Sequence, residues 1–390
     1  MVSRITLQEV DQTNSDKDAM EINFDTPTES IKISPMQHFR KGLLFSYAGT
    51  HFAVDMGCAL CASLLLHRWG VSSAEFYKLI ILYNLIAFGS QPLLGWLLDV
   101  SNCQHKGMIA GVLLTALGCA IAENSFMTAV LFLGAGNALF HVGAGAGVYA
   151  LCEGKAAPSG MFVAPGAVGL FVGGTLGATS WVSPYYATIA LCLAAWGLLN
   201  IPSIDFQLPV EQDHATRRPK VSYIGVVLLL LLLVVASRSF IGFSLPVPWK
   251  GMAGAPLVLL VMAFAGKSLG GYLADRIGWA TFGSTMLLAV SMTLVFHQHS
   301  FTAACLSLFC VQATTGITLV ATQSMFPNYP AFSFGLPCIA LLAGGYPYLK
   351  THPVALTDPS WTIVVGLCAT AAIMVALIMY KRKELIYAST

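Results

Sequence analysis

LLFSYAGTHFAVDMGCALCASLLL, residues Leu43 to Leu66, is long and apolar enough to cross a bilayer as one helix, yet it carries His51 and Asp55. Four positions apart, the two share a helix face, with Cβ atoms about 6 Å from each other. An ionisable group inside a membrane span costs roughly 2.5 kcal/mol or more, so such a pair is a functional hypothesis by default. The rest of the chain must account for why that cost is tolerated.

Composition places the whole chain in the same environment. Of 390 residues, 56% are hydrophobic and 10% charged, and the mean hydropathy is +0.72, beyond what a soluble domain could cover with polar surface. The chain therefore reads as an all-α, polytopic membrane protein whose first partner is the lipid bilayer. Apart from the N-terminal stretch its aqueous segments are short, which leaves no room for a large soluble catalytic domain. The ten cysteines are scattered as singles, and the one CxxC, Cys58 to Cys61, lies inside the first span and reads as small packing residues. Without zinc-type spacing, neither a metal nor a cofactor is expected. Nor does a net charge of +2 point to a nucleic-acid partner.

Residues 1–41 mix acids, bases, Ser and Thr without an apolar core of a signal peptide, and are expected to form a polar, mobile tail. Twelve apolar segments follow, at about 42–66, 74–98, 106–123, 125–150, 158–179, 183–204, 223–245, 251–273, 280–297, 300–325, 331–350 and 360–380. The polar linker DFQLPVEQDHATRRPKVS (205–222) separates an N-terminal six-helix bundle, 42–204, from a C-terminal one, 223–380, and residues 381–390 form a tail. Six spans plus six around a central polar loop is a two-halved transporter layout. With the N-terminus inside, fourteen Lys and Arg, among them Arg40, Lys106, Lys155, Arg217 and Lys381, fall on the cytoplasmic side; Arg68, Lys78, Lys250 and Lys350 fall on the far side. Both termini are thus expected to be cytoplasmic, in a cell membrane.

The halves share a motif. Span 2 ends in Gly95-Trp-Leu-Leu-Asp99, and span 8 in Gly271-Tyr-Leu-Ala-Asp275-Arg276-Ile-Gly278. Glycine admits a close neighbour, and an acid at a helix end can hold the N-terminal dipole of a facing helix, so each copy suits a latch between two rocking bundles. In this the chain resembles the major facilitator superfamily, with its G-x-x-x-D-(R/K)-x-G-(R/K) motif after spans 2 and 8. Gly95, Asp99, Gly271, Asp275, Arg276 and Gly278 are the gating residues that the resemblance implies. The second copy departs at Trp279-Ala280, and the first keeps only Gly and Asp.

Three short stretches are similar to the fosmidomycin-resistance type of efflux transporter within that superfamily: His51-x-x-x-Asp55, Gln91-Pro92-Leu-Leu-Gly95, and Gly134-Ala-Gly136-Asn137-Ala-Leu-Phe140-His141. Ser237-Arg238-Ser-Phe240 is similar to a basic-aromatic pair in span 7. Val142 stands where the family has proline after the histidine, and Lys267 where a small or neutral residue is expected.

The resemblance implies that spans 1, 4, 7 and 10 line a central cavity. His51, Asp55, His141, Arg238, Lys267 and Gln312, with Asn84 and Gln91 from span 2, are the candidate binding residues. Asp55 and His51 are the candidates for proton coupling, because changing partners and exposure let such groups bind and release a proton near neutral pH. The competing reading of Asp55 is a fixed counter-ion to Arg238 or Lys267. Two cations to one acid suit an anion such as a phosphonate, phosphate ester or carboxylate.

The expected function is proton-coupled export of a small, in that case anionic, molecule by an alternating-access monomer. Uptake symport or facilitation by the same fold is the nearest rival. An intramembrane enzyme lacks a HExxH or GxSxG motif and a third ligand for the His/Asp pair; a non-transporting receptor requires permanently paired charges.

Overall fold

The computed structural model describes residues 35–201, 221–244, 252–297, 300–350 and 359–388. Most of the expected polar tail, linker residues 205–220, Lys250 and His299 lie outside them. Every regular element among the described residues is helical: α1 (Pro35–His67), α2 (Ser73–Asn84), a π-helical turn (Leu85–Gly89), α3 (Gln91–Val100), α4 (Gln104–Ile121), α5 (Phe126–Cys152), α6 (Ala157–Ala178) and α7 (Pro184–Leu199) in the first half. The second half comprises α8 (Val221–Ser244), α9 (Ala255–Ile277), α10 (Trp279–His297), α11 (Phe301–Ala313), α12 (Thr315–Gln323), α13 (Pro330–Lys350) and α14 (Pro359–Ala388).

Ten helical segments among the described residues are long and apolar enough to cross a membrane. The two others expected from the sequence fall short in different ways. The segment drawn at 183–204 yields a helix of 16 residues, because Asn200 folds its side chain back onto the Trp196 carbonyl and Pro202 follows. The segment at 331–350 becomes α13, a continuous helix of 21 residues whose apolar character is diluted by Pro337, Pro347 and Gly344-Gly345. At the ends, helix runs further than drawn: α1 begins at Pro35, inside the expected tail, and α14 continues to Ala388.

Two spans break where sequence periodicity gave no warning. Span 2 passes through the π-helical turn and restarts at Gln91, since Pro92 has no N–H to continue the ladder. Span 10 breaks at Thr314, where the Val311 carbonyl accepts from both Arg238 Nε (2.9 Å) and the Thr314 hydroxyl (3.2 Å).

The packing repeats between halves. In the first, α1 lies along α6 and α7, and α4 along α5 and α7; in the second, α8 lies along α13 and α14, and α10 along α11 and α14. The halves meet in the same paired way, α6 on α9 and α13 on α3. This pseudo-twofold exchange is what two copies of one six-helix plan produce when each offers the same face to the other.

Candidate functional site

The site begins with a glycine stripe on α6. Gly166, Gly169 and Gly173 follow helical spacing, and a Cβ on Gly169 or Gly173 would lie 2.3 Å from the Phe52 carbonyl oxygen or 2.1 Å from that of Met56. Only glycine lets α6 come this close to α1. A methyl on Gly166 would sit 2.5 Å from His51 Nε2 and 2.6 Å from Asp55 Oδ2, so this glycine makes the floor of the site.

On that floor the fold gathers His51, Asp55 and His141, all buried. His51 Nε2 lies 3.2 Å from Asp55 Oδ2 and 2.9 Å from His141 Nε2. His51 Nδ1 reaches the Phe162 carbonyl at 3.0 Å, and His141 Nδ1 that of Asn137 at 2.8 Å. Asn137 donates through Nδ2 to Asp55 Oδ1 at 3.3 Å, while its own Oδ1, also buried, has no hydrogen-bond partner among the described residues. Rings of Phe140 and Phe162 wall the cluster. Among the described residues, His51, Asp55 and His141 are also the set whose ligand atoms, within 4.8 Å of one another, could surround a metal ion. The third group that the His/Asp pair lacked in sequence is thus supplied from α5.

Two cations approach from the other half. Arg238 is buried on α8, with Nε on the Val311 carbonyl, Nη1 on the Thr318 hydroxyl at 3.1 Å and Nη2 on the Thr315 hydroxyl, so its hydrogen bonds tie it to α11 and α12 of its own half. Lys267 lies half-buried on α9, whose backbone packs closely on α6 of the first half: a Cβ on Gly160 would lie 2.3 Å from the Lys267 carbonyl oxygen. Among the described residues, the group within ion-pair distance of Asp55 is the His51 ring, at 3.2 Å.

At one end of the molecule the halves are latched twice. Asp99 accepts from the N–H groups of Ala331 (3.2 Å) and Phe332 (2.8 Å) in the first turn of α13. Asp275 accepts from those of Ala156 (2.8 Å) and Ala157 (3.0 Å) at the start of α6. Each carboxylate thus satisfies unpaired N–H groups at the positive end of a helix in the opposite half. The glycine four residues earlier makes the approach feasible: a Cβ on Gly95 would lie 2.4 Å from the Ala331 oxygen, and one on Gly271 2.6 Å from the Ala156 oxygen. A local donor completes each carboxylate, Gln104 Nε2 on Asp99 Oδ1 (2.9 Å) and Trp279 Nε1 on Asp275 Oδ1 (2.8 Å). In the second copy the residue that departs from the family motif, Trp279, is itself the donor; in the first, Gln104 lies one position past the motif. Arg276 stacks over the Tyr272 ring at 4.4 Å, and Gly278 ends α9 at φ +103°, where other residues are strained.

Other expected site residues stay outside the cluster. Asn84 and Gln91 bond the carbonyls of Ile80 and Ala87 in their own span, and the Gln312 Cβ packs near Gly266. Three residues of the arrangement were not among the expected site residues. Asn137 lies four before His141 on one helix face and Gly166 opens a periodic glycine stripe, so both had a signal in the sequence. Gln323, which donates to the Gly145 carbonyl (3.1 Å) across the halves and to that of Pro330 (3.2 Å), had none.

Two like halves, latched at one end and enclosing a buried ionisable cluster, define a multi-pass membrane transporter. The family is established by sequence: the model of the Major Facilitator Superfamily matches residues 43–336, and the chain belongs to it. The search of curated proteins gives no match. Among solved structures, an E. coli fucose:proton symporter, FucP, in variant form is similar at TM-score 0.62 and 14% identity, over 87% of this chain and 97% of that one. FucP in its outward conformation gives TM-score 0.63 and 15% identity, with the same coverage.

Proposed function

We propose that this protein is a proton-coupled secondary transporter that exports a small anionic molecule by alternating access. One observation carries the reading: α6 of the first half seats the buried His51–Asp55–His141 cluster at Gly166 and, farther along the same helix at Gly160, packs against the backbone of Lys267 from the other half. Ionisable groups of opposite sign on two bodies that move against each other tie protonation to bundle position. The ten spans together with α7 and α13 make twelve, with both termini cytoplasmic in a cell membrane, so that the latched end faces the cytoplasm; the protein works as a monomer. The anionic cargo rests on Lys267, since the hydrogen-bonded nitrogens of Arg238 are taken up by its own half.

Proteoliposomes carrying an imposed pH gradient test the coupling, with phosphonates, phosphate esters and carboxylates as probes. Export driven by the gradient and abolished in Asp55→Asn is expected; flux indifferent to the gradient refutes it. Uptake symport is the second reading, favoured by the likeness in fold to a fucose:proton symporter. Reversing the gradient distinguishes it: an exporter accumulates probe on the proton-rich side and a symporter on the proton-poor side.

A further inference from the structure

Two histidines and a carboxylate bring their acceptor atoms together in the buried cluster. Carbonyl oxygens only accept, so the Nδ1 atoms facing Phe162 O and Asn137 O both carry hydrogen, and in a neutral ring the bare lone pair then sits on Nε2. A backbone carbonyl on the far ring nitrogen is also the outer support that metal-ligating histidines carry. His51 Nε2 lies 2.9 Å from His141 Nε2 and 3.2 Å from Asp55 Oδ2, and the three atoms lie within 4.8 Å of one another. Neighbouring ligands of one metal, each about 2.0–2.2 Å from it, stand roughly 2.8–3.6 Å apart in octahedral or tetrahedral geometry, which covers both short separations.

Other observations favour a metal over a proton shared by the two rings. A shared proton is held best with the nitrogens head-on, which would set the ring centroids more than about 5 Å apart. They are 4.6 Å apart with the planes at 88°, so the two lone pairs do not lie along one line. A proton between the rings bonds two acceptors, whereas a metal takes Asp55 Oδ2 as well. Gly166 keeps space beside the set open: the place of its missing methyl is 2.5 Å from His51 Nε2 and 2.6 Å from Asp55 Oδ2. Asn137, whose Nδ2 holds Asp55 Oδ1, is buried with an Oδ1 that has no hydrogen-bond partner among the described residues, a further oxygen donor next to the same carboxylate.

We propose that His51, Asp55 and His141 form a binding site for a divalent transition-metal ion, held by the two Nε2 atoms and Oδ2. Two imidazoles and one carboxylate suit Zn²⁺, Mn²⁺, Fe²⁺, Co²⁺ or Ni²⁺, while Mg²⁺ and Ca²⁺ ask for oxygen donors throughout. Three protein ligands leave coordination positions open to water or to a small oxygen ligand. Spacing along the chain gave no metal because α1 offers two ligands only; α5 brings the third. All three belong to the first half, so the site depends neither on the direction of transport nor on the ion that drives it.

The test uses the full chain in lipid nanodiscs, free of any affinity tag, dialysed against micromolar Zn²⁺, Co²⁺ or Mn²⁺ with millimolar Mg²⁺ present; the retained metal is measured by elemental analysis. One ion per chain is expected. His51→Ala, His141→Ala and Asp55→Ala should each weaken its binding by at least about tenfold, whereas His67→Ala, at an exposed histidine of the same helix α1, should leave it unchanged. X-ray absorption of the zinc-loaded wild-type protein should show two imidazoles on the metal, and this spectrum decides alone should a variant fail to fold. Retention unchanged in the three variants, fewer than two imidazoles, or displacement by Mg²⁺ each overturns the proposal. So does the absence of retained metal, which leaves a proton shared by the two rings as the reading of the cluster.

Discussion

At the scale of the residue, Gly166 decides whether the site exists. His51 and Asp55 fit against α6 because no side chain stands there, and a methyl at that position overlaps both reactive atoms. Gly166→Ala is therefore expected to displace His51 and Asp55 and to destabilise the protein by about 1–3 kcal/mol, the usual cost of overpacking, which thermal denaturation reads. Lys267 makes the complementary case. In a thermal-shift screen against phosphonates, phosphate esters and carboxylates, an anion that binds the native state should raise the melting temperature. Lys267→Gln should cut that stabilisation by at least about tenfold in apparent affinity, and an unchanged shift would remove the anion from the proposal.

The elements carry a different dependence. Asp99 and Asp275 act on the first turns of α13 and α6, so each joins a whole helix, not one residue, to the opposite half. Hydrogen bonds to a charged group are worth about 1.5–3 kcal/mol each, which in population terms is roughly tenfold to a hundredfold. Asp275→Ala should accordingly shift the halves toward separation at the latched end, visible as a longer distance between spin labels placed on the two halves there. Asp99→Ala should do the same through α13. Arg238 has an internal role by comparison. Its planar fork bonds Val311, Thr315 and Thr318 together and holds the break between α11 and α12. Arg238→Lys, with one compact ammonium, cannot span the three and should lower thermal stability by a few kcal/mol without removing the charge.

For the whole molecule, the exchange of latches is the organising feature: the first half's acid holds the second half's α13, and the second half's acid holds the first half's α6. The two latches share no residue, so their losses should add in the double variant Asp99→Ala/Asp275→Ala, within the few tenths of a kcal/mol typical of separate sites. Label distances measured in both single variants and the double variant check this. A double variant no more open than either single one would show that the latches act as one unit.

Much of this was legible in sequence. Hydropathy gave an all-helical membrane protein, because a span must satisfy its own backbone and is written as one continuous apolar run. The recurring Gly and Asp gave the family and the repeat, since close approach and helix-end charge each demand particular residue types. The ionisable residues His51, Asp55, His141, Arg238 and Lys267 were conspicuous because their cost in lipid makes each one visible. Their partnerships were not. That His141 closes on His51, and that Asp99 and Asp275 reach the first turns of α13 and α6, depend on distances between helices far apart in the chain. The break at Thr314 likewise follows from a guanidinium on another helix, whereas the restart at Gln91 follows from the missing N–H of Pro92, a local feature. What one helix requires is local and can be read along the chain; what two helices do to each other is settled only where they pack.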